Sequence, residues 1–304
     1  MQKYTNTAES QYIAPKGLEP ISIMIVCTTV AALQQHLQQQ QITRSKTGFV
    51  PTMGALHQGH LALIEQSLSL ELFTICSIFV NPTQFNNPDD FAKYPITIAN
   101  DIRLLESVGC HLLFLPSVQE MYPQGTQATR HYELGFLETV FEGSHRPGHF
   151  QGVCQVVHRL LNIVPCGKML LGQKDYQQCM VLTQLVKTIP IATEIIIAPT
   201  VREADGLAMS SRNMRLNPEQ RQQATAIYKA MQFIKSKLQP GDTTTLASNA
   251  AQQLLDAGFT SIDYVSLAHA HTLEPITDWD GSTPLVVLVA AFLGEVRLID
   301  NYVI

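Results

Sequence analysis

Six continuously apolar runs, separated by amphipathic helical stretches, occupy residues 21–199, and that alternation leaves few folds open. The runs are Ile21–Cys27, Thr47–Pro51, Leu72–Val80, His111–Leu115, Lys168–Leu171 and Glu194–Ala198. A strand with one face in water alternates apolar and polar residues; these do not, so both of their faces must be covered. Between them, Ile98, Ile102, Leu105 and Val108 recur at helical spacing and stop at Gly109, a residue suited to a helix C-cap. Further helices are expected over Gln151–Val164 and Tyr176–Thr188. The pattern specifies an α/β fold, a doubly wound Rossmann-like parallel sheet over residues 21–199.

After Thr200 the pattern changes. Asn217-Pro218 places a capping residue before a proline suited to a first helical turn, opening a polar helix to about Leu238. A second helix is expected from Thr244 to Ala257, then strands at Ser261–Leu267, Pro284–Phe292 and Val296–Tyr302, the last two joined around Gly294. Residues 200–304 therefore read as a second, smaller α+β C-terminal domain, a lid for the first. Residues 1–20 have little periodicity and are expected to form a loosely ordered N-terminal extension.

The formal charge is −5 and only 15% of residues are charged, against the usual level of roughly 25%. That balance speaks against a nucleic-acid partner, and any anion-binding site must be a local cluster. Ile21–Leu33 is too short for a membrane span, so no membrane partner is expected. Six cysteines without a CxxC pair or a dense framework read as reduced, buried thiols in a cytoplasmic protein.

The chemistry concentrates in five segments. Met53-Gly54-Ala55-Leu56-His57-Gln58-Gly59-His60 follows a strand and opens a helix, where open α/β sheets bind ligands. Its glycines admit a phosphate to the backbone, and its two histidines share one helical face and can donate to phosphate oxygens. His-x-x-His is narrower than the helical zinc spacing and lacks a third ligand nearby, so a metal reading is set aside. In Asn81-Pro82-Thr83-Gln84-Phe85, a strand breaks at the sheet edge, and Gln84 can hold both a hydroxyl and a carboxylate. The loop Phe141–Phe150 brings Arg146 beside His145 and His149, which could line an anionic pocket, although taken alone the segment reads better as a positively biased surface loop. Gly172-Gln173-Lys174-Asp175-Tyr176-Gln177-Gln178 places a cation and a carboxamide at another strand end. Met209-Ser210-Ser211-Arg212 stands at the expected domain junction, with hydroxyls and a guanidinium suited to clamping polyphosphate.

His57-Gln58-Gly59-His60 resembles the His-x-Gly-His signature of the nucleotidyltransferase superfamily, whose members attack the α-phosphate of ATP. All five segments, in order from Phe49 to Asn213, resemble the pantothenate synthetase family. That resemblance implies ATP-dependent condensation of pantoate with β-alanine through a pantoyl adenylate, with release of pyrophosphate and AMP. It implies catalytic roles for His57, His60, Lys174 and Arg212, with His60 the proton donor by position. It places ATP along residues 53–60 and 172–175, with Val201 and 209–212, and pantoate at Gln84, Gln178 and Asn81, with β-alanine also meeting Gln84. It further implies magnesium carried with ATP, a metal contact at Asp101, and a homodimer. Two positions depart from the family pattern: Gln173 replaces the usual glutamate, and Ile96 in Tyr94-Pro95-Ile96-Thr97 replaces the usual arginine, so no role passes to Ile96. The alternative is another nucleotidyltransferase, one that moves AMP onto a phosphorylated acceptor; it would share only the histidine motif.

Overall fold

The computed structural model describes residues 24–85, 88–127 and 130–304. The expected N-terminal extension and the first residues of the first run lie outside the described residues. Six strands form one parallel sheet: β1 (Ile25–Cys27), β2 (Thr47–Thr52), β3 (Phe73–Ile78), β4 (Leu112–Phe114), β5 (Lys168–Gly172) and β6 (Glu194–Ala198). Their spatial order is β1-β4-β3-β2-β5-β6. From β2 the chain steps outward through β3 to β4, then returns to place β5 on the other flank of β2.

Successive strand residues face opposite sides, which explains why the runs are apolar throughout. Phe49, Ile75, Leu112 and Met169 pack in one cluster with helices α1 (Val30–Gln39), α4 (His149–Ile163) and α5 (Tyr176–Thr188). Their neighbours Val50, Cys76, Leu113 and Leu170 pack in another with α2 (Gln58–Ser69) and α3 (Ile98–Ser107). All six cysteines are free and buried, as their apolar settings suggested.

The C-terminal region has its own antiparallel sheet of β7 (Ser261–His269), β8 (Leu285–Leu293) and β9 (Val296–Val303), in the order β9-β8-β7. One face, with Val287, Val289 and Ala291, packs on α6 (Ala226–Lys237) and α7 (Thr244–Asp256). Val286 and Leu288 on the other face join Phe141, Tyr176 and Met180 from the first region. Both faces of β8 are covered, so it too is an unbroken apolar run. Where one polar helix was expected from Pro218, two occur, Pro218–Gln223 and Ala226–Lys237. The Thr225 hydroxyl donates to the Gln222 carbonyl at 2.8 Å, and this competition tightens the turn between them. A two-residue ladder, Gly241–Asp242 with Asp278–Trp279, had no visible sequence signal.

One close approach places the site. A Cβ on Gly152 in α4 would lie 2.2 Å from the Thr83 carbonyl oxygen, so only glycine lets the helix meet the Pro82–Gln84 turn. Gly152→Ala must push that turn away; it is expected to lower stability by about 1–3 kcal/mol in urea unfolding.

Candidate active site

The carboxyl ends of β2 and β5 diverge because the chain leaves them in opposite directions, and a cleft of about 240 Å³ opens there. From the segment after β2 it is lined by Met53, His57, Gly59 and His60; from that after β5 by Gly172, Lys174, Asp175 and Gln178. Asn81 and Gln84 line it after β3, and Val201, Met209, Ser210, Ser211 and Arg212 after β6. Segments distant in sequence thus meet around one space. Gly54, Ala55, Leu56, Gln58 and Gln173 do not line it.

His57 is the N-cap of α2 and forms a capping box with His60. The Gly59 N–H donates to His57 Nδ1 at 3.2 Å, and the His57 N–H donates to His60 Nδ1 at 3.3 Å. Both Nδ1 atoms are acceptors, so each ring carries its proton on Nε2. Burial, then the Lys174 cation, lowers His57 to about 4. Burial, with His57 and Lys174 behind it, lowers His60 to about 3. Both imidazoles are therefore neutral near pH 7.

Asp101, to which the family resemblance gives a metal contact, stands apart from the cleft lining. It is fully buried. Its carboxylate accepts from the Ala55 N–H at 3.0 Å, the Leu56 N–H at 2.9 Å and the Thr97 hydroxyl at 2.9 Å. A carboxylate so occupied anchors the loop. It also engages the Ala55 and Leu56 amides that were expected to face phosphate, and Ala55 holds φ +49° to present its amide this way. No group of three or more His, Cys, Asp or Glu side chains able to hold a metal occurs among the described residues.

Asn81 is likewise committed. Its amide donates to Gln84 Oε1 at 3.1 Å and to the Gly152 carbonyl at 3.2 Å, while its Oδ1 accepts from the Tyr122 hydroxyl at 2.9 Å. It orients Gln84, whose own amide lies 3.1 Å from Met53 Sδ. Arg212 and Arg215 both hold Asp90, at 3.0 and 2.8 Å, and Ser211 faces the Tyr94 hydroxyl at 3.2 Å.

His149 belongs to this site, although in the sequence it has only a place in an ambiguous loop. It is buried in the cleft wall, and its Nδ1 donates to the Gln84 carbonyl at 2.8 Å. Burial, then Arg146, lowers it to about 4. In the same loop Glu142 is gripped by Arg297 at 2.6 and 2.9 Å and by the Tyr264 hydroxyl at 2.7 Å. Burial pushes that carboxyl up, but the Arg297 guanidinium prevails and holds it at about 2. No signal in the sequence pairs residues 155 positions apart.

The family model for pantoate-beta-alanine ligase matches residues 25–303. The chain belongs to the pantoate-beta-alanine ligase family. It is 44% identical to a pantothenate synthetase of Cytophaga hutchinsonii over 283 residues, covering 92% of this chain and 99% of that one. A pantothenate synthetase of Bacteroides thetaiotaomicron is 42% identical over 282 residues, covering 91% and 98%. Among solved structures, the ligase resembles that of Thermus thermophilus with a TM-score of 0.80 at 40% identity, covering 92% of this chain and 99% of that one. The Francisella tularensis pantoate-beta-alanine ligase, solved with β,γ-ATP and β-alanine, gives 0.78 at 36% identity, covering 92% and 97%.

The ligase's site geometry has consequences for its stability. Asp101→Ala strands two buried N–H groups and should lower the unfolding free energy by about 1–3 kcal/mol for each; Asp101→Asn, which keeps one acceptor, should cost less in the same denaturation series. His57, His60 and His149 all titrate below the unfolded value of about 6.5. Their contribution is therefore complete above that pH and is lost as the pH falls towards their folded values. The melting temperature should drop between about pH 7 and pH 5, and less steeply in His149→Gln.

Proposed function

We propose that this ligase joins pantoate to β-alanine in two half-reactions in the cleft between β2 and β5. The pantoate carboxylate attacks the α-phosphorus of ATP; the new P–O bond forms as the bond to pyrophosphate breaks. The amine of β-alanine then attacks the acyl carbon of pantoyl adenylate, the C–N bond replaces the bond to AMP, and the nitrogen loses a proton. The observation that carries this reading is the meeting of two neutral imidazoles, each with an Nε2–H free to donate, and Lys174 in one cleft.

In the first step an anion approaches an anion, so positioning and preorganised donors must supply most of the rate. His57 and His60 donate to phosphate oxygens at no cost in reorganisation, because the capping box already fixes their tautomers. Lys174, Ser210, Ser211 and Arg212 hold the triphosphate, Arg212 exchanging Asp90 for phosphate oxygens. Met53, Gly172, Asp175 and Val201 contact the nucleotide, and the loop Gly54–Gly59 supports it from beneath. Gln84 and Gln178 hold pantoate, with Asn81 setting Gln84.

Among the described residues no group of three or more metal-ligating side chains occurs, which fits magnesium that would be held mainly by the nucleotide phosphates, with Asp175 as a cleft carboxylate able to assist. Its chemistry when bound is charge neutralisation on those phosphates. Residues 200–304 act as the lid that keeps water from the acyl adenylate. Placement in the cytoplasm and a homodimeric state complete the reading.

Pyrophosphate and AMP release should be followed from Mg-ATP with pantoate, with β-alanine, and with both. Pyrophosphate should require pantoate, and pantothenate should appear once β-alanine is added; folded protein without pantoate-dependent pyrophosphate sinks the proposal. His60→Ala should lower turnover by at least ~10²-fold, as removal of one preorganised donor does, while circular dichroism stays native; near-normal turnover would remove His60 from this role.

A further inference from the structure

The turn that carries Lys174 is held by the opposite end of the chain. Gln173–Asp175 is a single 3-10 turn between β5 and α5; Gly172 before it makes no side-chain cap, and Asp175, its last residue, makes none to the start of α5. Two of its carbonyls instead face Asn301 on β9. The Asn301 amide donates to the Gln173 carbonyl at 2.9 Å and to the Lys174 carbonyl at 2.8 Å. Its Oδ1 accepts from Gln173 Nε2 at 3.2 Å. Carbonyls only accept, so the two backbone bonds fix which end of the Asn301 carboxamide is nitrogen. Gln173 then has to be a donor. A glutamate there would set its oxygens against Oδ1, so the departure from the usual family residue matches a neighbour on another strand.

Asn301 is itself immobilised. It is 2% exposed. Its carbonyl accepts from Arg202 at 3.1 Å, and the adjoining Asp300 receives both Arg202 guanidinium nitrogens at 2.6 and 3.0 Å. Arg202 also lies 4.5 Å over the Tyr228 ring and follows Val201 in the cleft wall. One strand end therefore touches the chain at both the β5 and the β6 edges of the cleft.

We infer that Asn301 is a positioning residue for Lys174, through which docking of the C-terminal sheet sets the phosphate-binding lysine. The inference rests on reading Lys174 as a nucleotide-phosphate group. Lys174 is 16% exposed at its side chain, and its Nζ stands 3.9 Å from Asp175. A lysine has a long, rotatable stem, so the placement of its backbone decides where its charge can stand. A loosened turn spreads that charge over many positions and weakens its hold on phosphate.

The test is a double-mutant cycle on the full-length protein, read by calorimetric affinity for a non-hydrolysable ATP analogue with magnesium. Asn301→Asp keeps the shape but replaces the side-chain nitrogen that donates to both backbone carbonyls with an oxygen that can only accept. It should raise Kd about tenfold or more in the wild-type background and no more than about twofold in Lys174→Ala. A purely structural asparagine would lower the melting temperature and leave Kd unchanged, or would raise Kd equally in both backgrounds; either result overturns the inference. Asn301→Ala, which removes the same bonds without adding charge, serves in the same cycle if the aspartate variant does not fold. Lys174→Ala binding as tightly as wild type would overturn the reading of Lys174 itself, a failure visible without any change at Asn301.

Discussion

Strand β2 has β3 on one side and β5 on the other, and this single reversal of strand order creates the site. Chain leaving β2 and chain leaving β5 must cross opposite faces of the sheet, so the ends of these strands cannot be roofed by a shared connection. Polar groups collect at the mouth of that space because backbone groups at strand ends and helix starts have no partners within the sheet. The histidine segment, the Lys174 turn and the sheet-edge glutamines are ordinary strand-to-helix connections that face each other across it.

Within that space the groups are set before any ligand arrives. The imidazoles cap the helix they begin, which fixes their tautomers, and burial beside Lys174 keeps them neutral. Neutral donors suit the proposed reaction, in which two anions meet, since they would stabilise developing phosphate charge without binding either substrate as tightly as a cation would. Asp101 supplies the complementary service from below by holding the loop amides, and Asn81 does the same for Gln84. Polar side chains that look like ligand contacts in the sequence divide into those that meet the cleft and those that support them.

Two buried ion-pair clusters join the C-terminal sheet to the parallel one. Arg297 reaches Glu142 in the loop before α4, and Asp300 takes Arg202 after β6. Breaking such a pair strands a buried charge, so the pairs specify where the sheet sits more than they add to stability. Their position beside the cleft means that the arrangement of the second sheet is read directly by residues of the first.

The sequence by itself determined the strands, most helices and the chemical character of each strand end, because covered parallel strands and amphipathic helices leave local signals in pattern and composition. Pro82, Gly59 and Gly172 marked the connections where chemistry belongs. What a side chain does there is a matter of distance, and distance is not local. Asp101 lies in a first helical turn like any solvated acid, and only the packing of α3 against the β2 loop turns it inward. His149 and Glu142 sat in a loop with no period to interpret. Asn301, at the end of the last strand, carries no motif and acquires its meaning from a turn 127 residues earlier. Tertiary structure alone decided these roles, because the same amide or carboxylate is a ligand, a cap or an anchor according to which orphan backbone group it meets.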